Sequence, residues 1–213
     1  CHEDFFRLWA DSHHGLALQA ADQSFLSRNL APQEKGIRIG DAEFRFEQGH
    51  VSEKSGKEVR FHEIRYAMGG KNVFYFLTER DRGHLQVLPV AYDVRRKEWY
   101  DTTASMVRHF PDRQDQSVEW TDRSLTFNSS CYNCHVSQLS TNYELESDSY
   151  RTTWLEPGIN CEACHGPGSE HIKAFTDYRE GTAWDDLRII DTKKFTTRQR
   201  SEMCAPCHAK MYP

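Results

Sequence analysis

The sequence is poor in large aliphatic residues and has no long hydrophobic run. Leucine, isoleucine, valine and phenylalanine together make up 41 of the 213 residues, or 19%, which is near the level at which a chain has too little apolar surface to fold alone. No signal-peptide pattern and no apolar stretch long enough to span a bilayer is present. We therefore predict no membrane span, and we expect a bound apolar group to complete the core.

Excess charge and spare cysteines are also absent. The net charge is only -5, so charge repulsion does not predict disorder and no basic surface predicts nucleic-acid binding. Six of the seven cysteines fall in one kind of motif and the seventh is Cys1. No cysteine remains for a structural disulfide.

The sequence instead contains three complete Cys-x-x-Cys-His motifs, the attachment signature of a c-type haem. Two thiols at this spacing can add across the two vinyl groups of one porphyrin edge, and the following imidazole can bind the iron. Zinc sites and redox disulfides also use paired cysteines, but neither requires the histidine. The predicted haem-attaching cysteines and proximal ligands are Cys131, Cys134 and His135; Cys161, Cys164 and His165; and Cys204, Cys207 and His208.

The first two residues, Cys1 and His2, resemble the second half of a fourth motif. We therefore predict four haem c groups, with His2 as the proximal ligand of the first; a stray terminal cysteine is the alternative. The chain also ends five residues after His208, so we expect a fragment. Cytochromes of type c receive haem outside the cytoplasmic membrane, which predicts a periplasmic or extracellular location.

Seven histidines lie outside the motifs and are candidates for the distal iron positions. His171 begins a predicted helix three residues after Gly168, and it is too close in sequence to His165 to reach the opposite face of the same haem easily. We expect it to bind a neighbouring haem. Because seven such histidines serve four haems, bis-histidine ligation is favoured over methionine.

The other distal candidates are less sharply defined. His13 and His14 lie on a predicted helix, where adjacent side chains point about 100° apart, so one of the two is expected to face a haem and we favour His13. His109 lies in a loop-rich region and is a further candidate. The remaining three are more often surface residues than ligands: His50, His62 and His84.

The pattern of apolar residues changes twice along the chain. Helical periodicity over residues 3–30 follows the truncated motif, whereas residues 36–100 alternate β-branched and aromatic residues with polar ones and are divided by glycine turns. We predict domains at 1–35 (first haem motif and helix), 36–100 (a β insert) and 101–213 (three haem motifs). The predicted fold is a mostly α and irregular haem-packed cytochrome with a small inserted antiparallel sheet of four to six strands.

Two resemblances to known families accompany these motifs. The run Gly158-Ile-Asn-Cys-Glu-Ala-Cys-His-Gly-Pro-Gly-Ser-Glu-His171 resembles the Cys-His-Gly-Pro-Gly-x-x-His signature of multihaem cytochromes c. That signature is shared with the tetrahaem cytochrome and the hydroxylamine oxidoreductase of ammonia oxidisers. The resemblance implies that His171 is a distal ligand.

A second resemblance covers most of the chain. It is to the N-terminal region of large bacterial multihaem cytochromes that continue into tetratricopeptide repeats, although no such repeat is present here. The segments that carry it are Trp9-x-x-Ser12-His13-His14, Gly83-x-Leu85-Gln86-x-Leu88-Pro89 with Tyr92-Asp93, and Ser130-Cys-Tyr-Asn-Cys-His135.

The favoured function is electron transfer along closely packed bis-histidine haems, with redox proteins or further copies of the chain as partners. A protomer of an extracellular cytochrome filament is a variant of this hypothesis. The second hypothesis is a reductase of a small nitrogen or sulfur oxyanion at one five-coordinate haem. The third is a haem-bearing sensor or docking module, with the β insert as its binding surface.

Overall fold

The structure is a computed structural model in which residues 2–103, 107–108, 112, 114, 116–176 and 186–209 are described. The chain divides into two compact units, Cys1–Gly158 and Ile159–Pro213. The domains predicted at 1–35, 36–100 and 101–213 stay a prediction, because compactness does not show which parts fold independently.

Six short α-helices occur in the described residues. The sequence specifies several of their ends. The Asp22 carboxylate caps the helix that begins at Gln23 by accepting from the Phe25 amide at 2.7 Å. Thr196 and Gln199 form a reciprocal capping box before the helix that begins at Thr197. The helices are α1 (Glu3–Ala10), α2 (Gln23–Asn29), α3 (Phe127–Ser130), α4 (Glu162–His165), α5 (Ser169–Thr176) and α6 (Thr197–His208).

Thirteen strands are described, all of them in the first unit and all paired antiparallel. They are β1 (Leu18–Ala20), β2 (Ile37–Ile39), β3 (Ala42–Glu47), β4 (His50–Ser55), β5 (Glu58–Glu63), β6 (Tyr66–Gly69), β7 (Val73–Glu79), β8 (Leu85–Asp93), β9 (Glu98–Asp101), β10 (Val107–Arg108), β11 (Gln116–Ser117), β12 (Val136–Ser137) and β13 (Glu156–Pro157). One sheet has the order β1-β6-β7-β8-β9 and another has the order β2-β3-β4-β5, while β10-β11 and β12-β13 form two-stranded ribbons.

The predicted fold class is wrong in its proportions, because the protein is not mostly helical. Helix and strand each account for 30% of the structure. The haem motifs occupy single helical turns or one short helix, so they contribute few helical residues. The strands also extend beyond the predicted insert, with β1 before residue 36 and β10 to β13 after residue 100.

The predicted helix over residues 3–30 is interrupted. Helix α1 ends at Ala10, and the Ser12 hydroxyl accepts from the Gly15 amide at 3.2 Å in the turn that follows. Strand β1 then pairs Leu18 with Met68, and the Leu18 side chain is buried. Pairing with the sheet overrides the helical periodicity at this point.

Two hydrophobic clusters hold the first unit together. The larger joins α2 and both large sheets, and includes Phe25, Phe44, Val51, Phe74, Phe76 and Tyr92. The smaller joins the five-stranded sheet to α3 and β12, and includes Leu18, Met68, Leu77, Val87, Phe127 and Val136. The segment that carries the motif of residues 131–135 therefore rests on the face of a sheet.

Strand β8 lies inside the five-stranded sheet although it contains Pro89. The pairing with β7 moves from Tyr75 opposite Ala91 to Leu77 opposite Val87, so Pro89 falls within an irregular stretch. A proline cannot donate to the ladder and is expected either on an edge strand or at a bulge; here the second alternative holds. Its carbonyl oxygen accepts from the Thr102 amide at 2.9 Å.

Asn128 ties the second haem motif to the beginning of β8. Its side chain is fully buried and its Oδ1 accepts from the Leu85 amide at 2.7 Å. Its Nδ2 donates to the Gly83 carbonyl at 3.2 Å and to the Thr152 hydroxyl at 2.7 Å. These three bonds set the position of α3, which ends at the residue before Cys131.

No helix in the described part of the chain is long and apolar enough to cross a membrane.

We predict that Asn128→Ala destabilises the protein by about 2–4 kcal/mol, because the buried Leu85 amide and Gly83 carbonyl both lose their partner. Denaturant unfolding followed by circular dichroism measures the change. Asn72→Ala, at an exposed asparagine in the same unit, is the control and should change stability by less than about 0.5 kcal/mol. Equal stability of the two variants would contradict this role.

Candidate haem sites

Each complete motif forms a helical turn that brings its three chemical groups to one side. In the second motif the Cys134 amide donates to the Cys131 carbonyl at 3.3 Å, and in the third the His165 amide donates to the Cys161 carbonyl at 2.9 Å. The motif of residues 204–208 lies within α6. Side chains three and four positions apart share one face of a helix, so the first cysteine of each motif shares a face with the second cysteine and with the histidine.

His135 is anchored through one ring nitrogen to the backbone. Its Nδ1 lies 2.7 Å from the carbonyl oxygen of Ala17. A carbonyl oxygen can only accept, so Nδ1 carries a proton, and in the neutral ring the lone pair is then on Nε2. The His135 carbonyl in turn accepts from the Gly158 amide at 2.9 Å.

Gly158 brings the segment after α1 close to this motif. Its φ is +83°, and a Cβ at this position would lie 2.5 Å from the Gly15 carbonyl oxygen and 2.6 Å from that of His14. Only glycine fits so close to another backbone. The backbone at His14 and Gly15 therefore lies beside the residue that supports His135.

His165 is held by the residue Ile190 in two ways. The His165 Nδ1 donates to the Ile190 carbonyl at 2.9 Å, and the Ile190 amide donates to the His165 carbonyl at 3.0 Å. The ring again has its proton on Nδ1 and its lone pair on Nε2. The pair of bonds fixes both the backbone and the imidazole of the third motif.

His171 is held in the same way by Leu187, which lies three residues before Ile190. It lies on α5, and its Nδ1 donates to the Leu187 carbonyl at 2.7 Å. Its ring also contacts that of Phe175, with centroids 4.6 Å apart. The predicted proximal ligand His165 and the predicted distal ligand His171 are thus both held by residues 187–190.

The ring nitrogen that is hydrogen-bonded differs between the candidate ligands and two histidines of the β-rich region. Histidines that bind metal commonly donate the other ring N–H to a backbone carbonyl or carboxylate, which orients the ring and raises its basicity. In His135, His165 and His171 the donor is Nδ1. In His62 and His84 the nitrogen in the hydrogen bond is Nε2, which lies 2.8 Å from Glu53 Oε2 and 3.0 Å from the Asp148 carbonyl oxygen, respectively.

The sequence Gly-Pro-Gly after His165 is shaped by the motif itself. Gly166 ends α4 with φ of +74°, a conformation that favours glycine. The Glu162 side chain then accepts from the Gly168 amide at 2.8 Å. Glu162, one of the two variable positions of the motif, therefore holds the turn that leads into α5 and His171.

In the second unit, one thiol of the motif at residues 204–208 lies near one of the motif at residues 161–165. Burial, and then the neighbouring Cys204 and Cys161 thiols, raise the pKa of the Cys164 thiol. An effect of Cys204 on Cys164 requires the two side chains to be close. His208 follows on the last turn of α6 and is exposed.

The described part of the second unit has no hydrophobic core of its own, which is compatible with a bound porphyrin. No hydrophobic side chain is buried among its described residues, 159–176 and 186–209. Ile172, which follows His171, is 64% exposed. Ile190, whose carbonyl accepts from His165, is 45% exposed. A large apolar disc held at these histidines would cover such side chains.

The positions of the other predicted site residues do not indicate which haem they would serve. His2, at the start of α1, and His13 and His14, in the turn after it, are exposed. Helix α1 also exposes Phe5, Phe6 and Leu8. The predictions for Cys1 and His109 concern residues outside those that the structure describes.

No three histidine, cysteine, aspartate or glutamate side chains among the described residues cluster as ligands of a single ion would. A haem iron takes four ligands from its porphyrin and needs only one or two from the protein.

Sequence reasoning missed the groups that hold the imidazoles. The acceptors at Ala17, Leu187 and Ile190 are main-chain carbonyls, which every residue type has, so no residue pattern marks them. The pair Pro157-Gly158 is typical of a turn, but it does not indicate the close approach of another backbone. Asn128 gave no signal, because a lone asparagine before a motif is not distinctive.

Comparisons with known proteins match part of the chain to a family of cytochromes c. Residues 93–166 match the family model described as cytochrome c554 and c-prime. This range includes the motifs at residues 131–135 and 161–165. No curated protein matches the sequence.

Two solved structures share the fold. One is the outer cell wall cytochrome OcwA, with a TM-score of 0.51, 18% identity, and coverage of 98% of this chain and 35% of that one. The other is an undecahaem cytochrome from the S-layer of Carboxydothermus ferrireducens, with a TM-score of 0.50, 19% identity, and coverage of 94% and 23%. The chain therefore spans about a third and about a quarter of the lengths of these two proteins.

We predict that Gly158→Ala destabilises the protein and disturbs the second haem site. A residue with a side chain costs about 1 kcal/mol in the left-handed conformation, and overpacking against the His14 and Gly15 carbonyls adds about 1–3 kcal/mol. Thermal unfolding measures the stability, and electron paramagnetic resonance of the oxidised protein measures the haem.

Gly40→Ala is the matched control, because Gly40 also has a left-handed φ of +57° but nothing lies within 4 Å of a Cβ there. It should show only the backbone cost of about 1 kcal/mol and an unchanged spectrum. The close approach at Gly158 would be unimportant if the two variants behaved alike.

Proposed function

We propose that this chain transfers electrons through four haem c groups, each held by two histidines. Three haems would be attached at the complete motifs and the fourth at Cys1 and His2. The match of residues 93–166 and the two cytochromes of similar fold support haem binding and electron transfer in general. The number of haems and the ligand pairs are the proposal.

The observation that carries the proposal is the hydrogen bonding of three imidazoles. His135, His165 and His171 each donate Nδ1–H to a main-chain carbonyl at 2.7–2.9 Å, and each has its lone pair on Nε2. A ring held in this way cannot rotate without breaking the bond. The protein therefore presents a basic nitrogen in a fixed direction, as an axial ligand requires.

The haem and the protein residues would have different roles. When bound, haem iron supplies reversible one-electron chemistry. The cysteine pairs would hold the group covalently, and each anchored imidazole would supply one ligand to an iron. Two strong protein ligands leave no position for a substrate, which favours electron transfer over catalysis.

The second unit also favours short distances between haems. His165 and His171 are six residues apart, on α4 and α5, and both are held by residues 187–190. We propose that His165 is proximal to the third haem and that His171 is distal to a neighbouring one. Two porphyrins bridged by so short a segment would lie close together, as efficient electron transfer requires.

We further propose that the protein works outside the cytoplasmic membrane, where c-type haem is attached. The names of the two structurally similar cytochromes place them in an outer cell wall and an S-layer, which supports export. The expected partners are other redox proteins or further copies of the chain, and not nucleic acid.

Low-temperature electron paramagnetic resonance of the oxidised protein, with a pyridine haemochrome count, tests the proposal. We predict four haems, all low-spin, because every iron has two histidines. Three low-spin haems would remove Cys1 and His2 from the haem sites but retain the electron-transfer function.

A high-spin signal that shifts when nitrite or hydroxylamine is added would contradict the proposal. It would show an iron with an open position and favour the reductase hypothesis. Loss of haem on denaturation and extraction with acidic solvent would contradict covalent attachment at the cysteines.

A further inference from the structure

Residues 187–190 contact two predicted axial ligands at once. The Leu187 carbonyl accepts from His171 Nδ1 at 2.7 Å, and the Ile190 carbonyl accepts from His165 Nδ1 at 2.9 Å. The Ile190 amide also donates to the His165 carbonyl at 3.0 Å. The segment has neither cysteine nor histidine, so nothing in its composition marks it as part of a haem site.

The segment is held in shape by groups at its beginning. The Asp186 carboxylate accepts from the Arg188 amide at 2.9 Å, and its other oxygen lies 2.8 Å from the Arg188 Nε. Arg188 has a left-handed φ of +52°, which is unusual for a residue with a long side chain. The Asp186 bond supports this conformation, which turns the chain between the two accepting carbonyls.

The far end of the segment is placed by packing. A Cβ on Gly166 would lie 3.3 Å from Cδ1 of Ile190. The Ile190 side chain therefore lies over the residue that follows His165. Hydrogen bonds and a hydrophobic contact together fix the segment against the third motif.

We infer that residues 187–190 are a positioning element that sets the orientation and electron donation of two axial histidines jointly, and so couples the reduction potentials of two haems. The inference rests on the proposed function, in which His165 and His171 bind different irons. A carbonyl that accepts from Nδ1–H increases the electron donation from Nε2. Stronger donation stabilises the ferric iron and lowers the potential.

The coupling is mechanical as well as electrostatic. The carbonyls of Leu187 and Ile190 are three residues apart in one short turn, so a displacement of the turn changes both hydrogen bonds. A structural change at either histidine is thereby transmitted to the other. Two haems joined in this way should respond together to a change in the turn.

The test uses Asp186→Ala in the full haem-loaded protein, because the accepting groups are main-chain carbonyls and cannot be removed directly. Without its carboxylate, the left-handed Arg188 loses support and the turn loosens. We expect the potentials of two haems to shift in the positive direction and two low-spin signals to change their g-values. Redox titration followed by optical and paramagnetic resonance spectra measures both.

Two controls separate positioning from general destabilisation. Asp186→Asn retains an oxygen that can accept from the Arg188 amide, so it should restore the wild-type potentials. Asp93→Ala removes a similar carboxylate, which accepts from the Arg95 and Arg96 amides at 2.9 and 2.8 Å in the first unit. It should leave all potentials unchanged.

Arg188→Gly keeps the inference testable if Asp186→Ala does not fold. Glycine adopts the left-handed conformation readily, so the turn should form but move more freely. We expect a smaller shift of the same sign at the same two haems.

A shift at only one haem would show that the segment serves one imidazole and would overturn the inference. So would a loss of thermal stability with all potentials unchanged, which would make the segment merely structural. If the wild-type protein itself lacked low-spin haems, the proposed function would fail instead. The two failures are therefore distinguishable.

Discussion

The hydrogen bond from an imidazole Nδ1–H to a main-chain carbonyl is the interaction on which the candidate sites depend. It occurs at His135, His165 and His171, and it fixes the tautomer, the direction of the ring and its basicity together. The carbonyl that accepts from His135 is 118 residues away in sequence. Those that accept from His165 and His171 are 25 and 16 residues away. The fold must therefore bring these segments to the histidines before the rings are oriented.

The two units meet this requirement differently. The first unit buries two hydrophobic clusters in its sheets, and the motif of residues 131–135 rests on that core through Phe127 and Asn128. The second unit buries no hydrophobic side chain in its described residues, and its order depends on backbone hydrogen bonds and exposed isoleucines. We infer that the first unit can hold its shape from its polypeptide alone, whereas the second depends on the apolar surface of its haems. The low aliphatic content of the sequence is consistent with this contrast.

The sequence predicted the chemistry better than the architecture. The spacing of cysteine and histidine is itself the chemical requirement, so the motifs could be read directly. Because proline lacks an amide proton, Pro89 could be expected on an edge strand or at a bulge. The fold class was wrong, because short strands outside residues 36–100 have too few residues to show a period. The anchoring carbonyls could not be predicted, since no side chain marks them. The hydrogen-bonded ring nitrogen, which distinguishes His171 from His84, depends on contacts that only the fold creates.

Replacing His171 and His84 separately by alanine in the haem-loaded protein tests whether a histidine anchored through Nδ1 is an iron ligand. His84 has Nε2 near the Asp148 carbonyl, and His171 donates Nδ1–H to the Leu187 carbonyl; both rings are half-buried. We predict that His171→Ala converts one low-spin haem to high-spin in the paramagnetic resonance spectrum, while His84→Ala leaves every haem low-spin. A His171→Ala spectrum identical to that of the wild type would show that His171 is not an iron ligand.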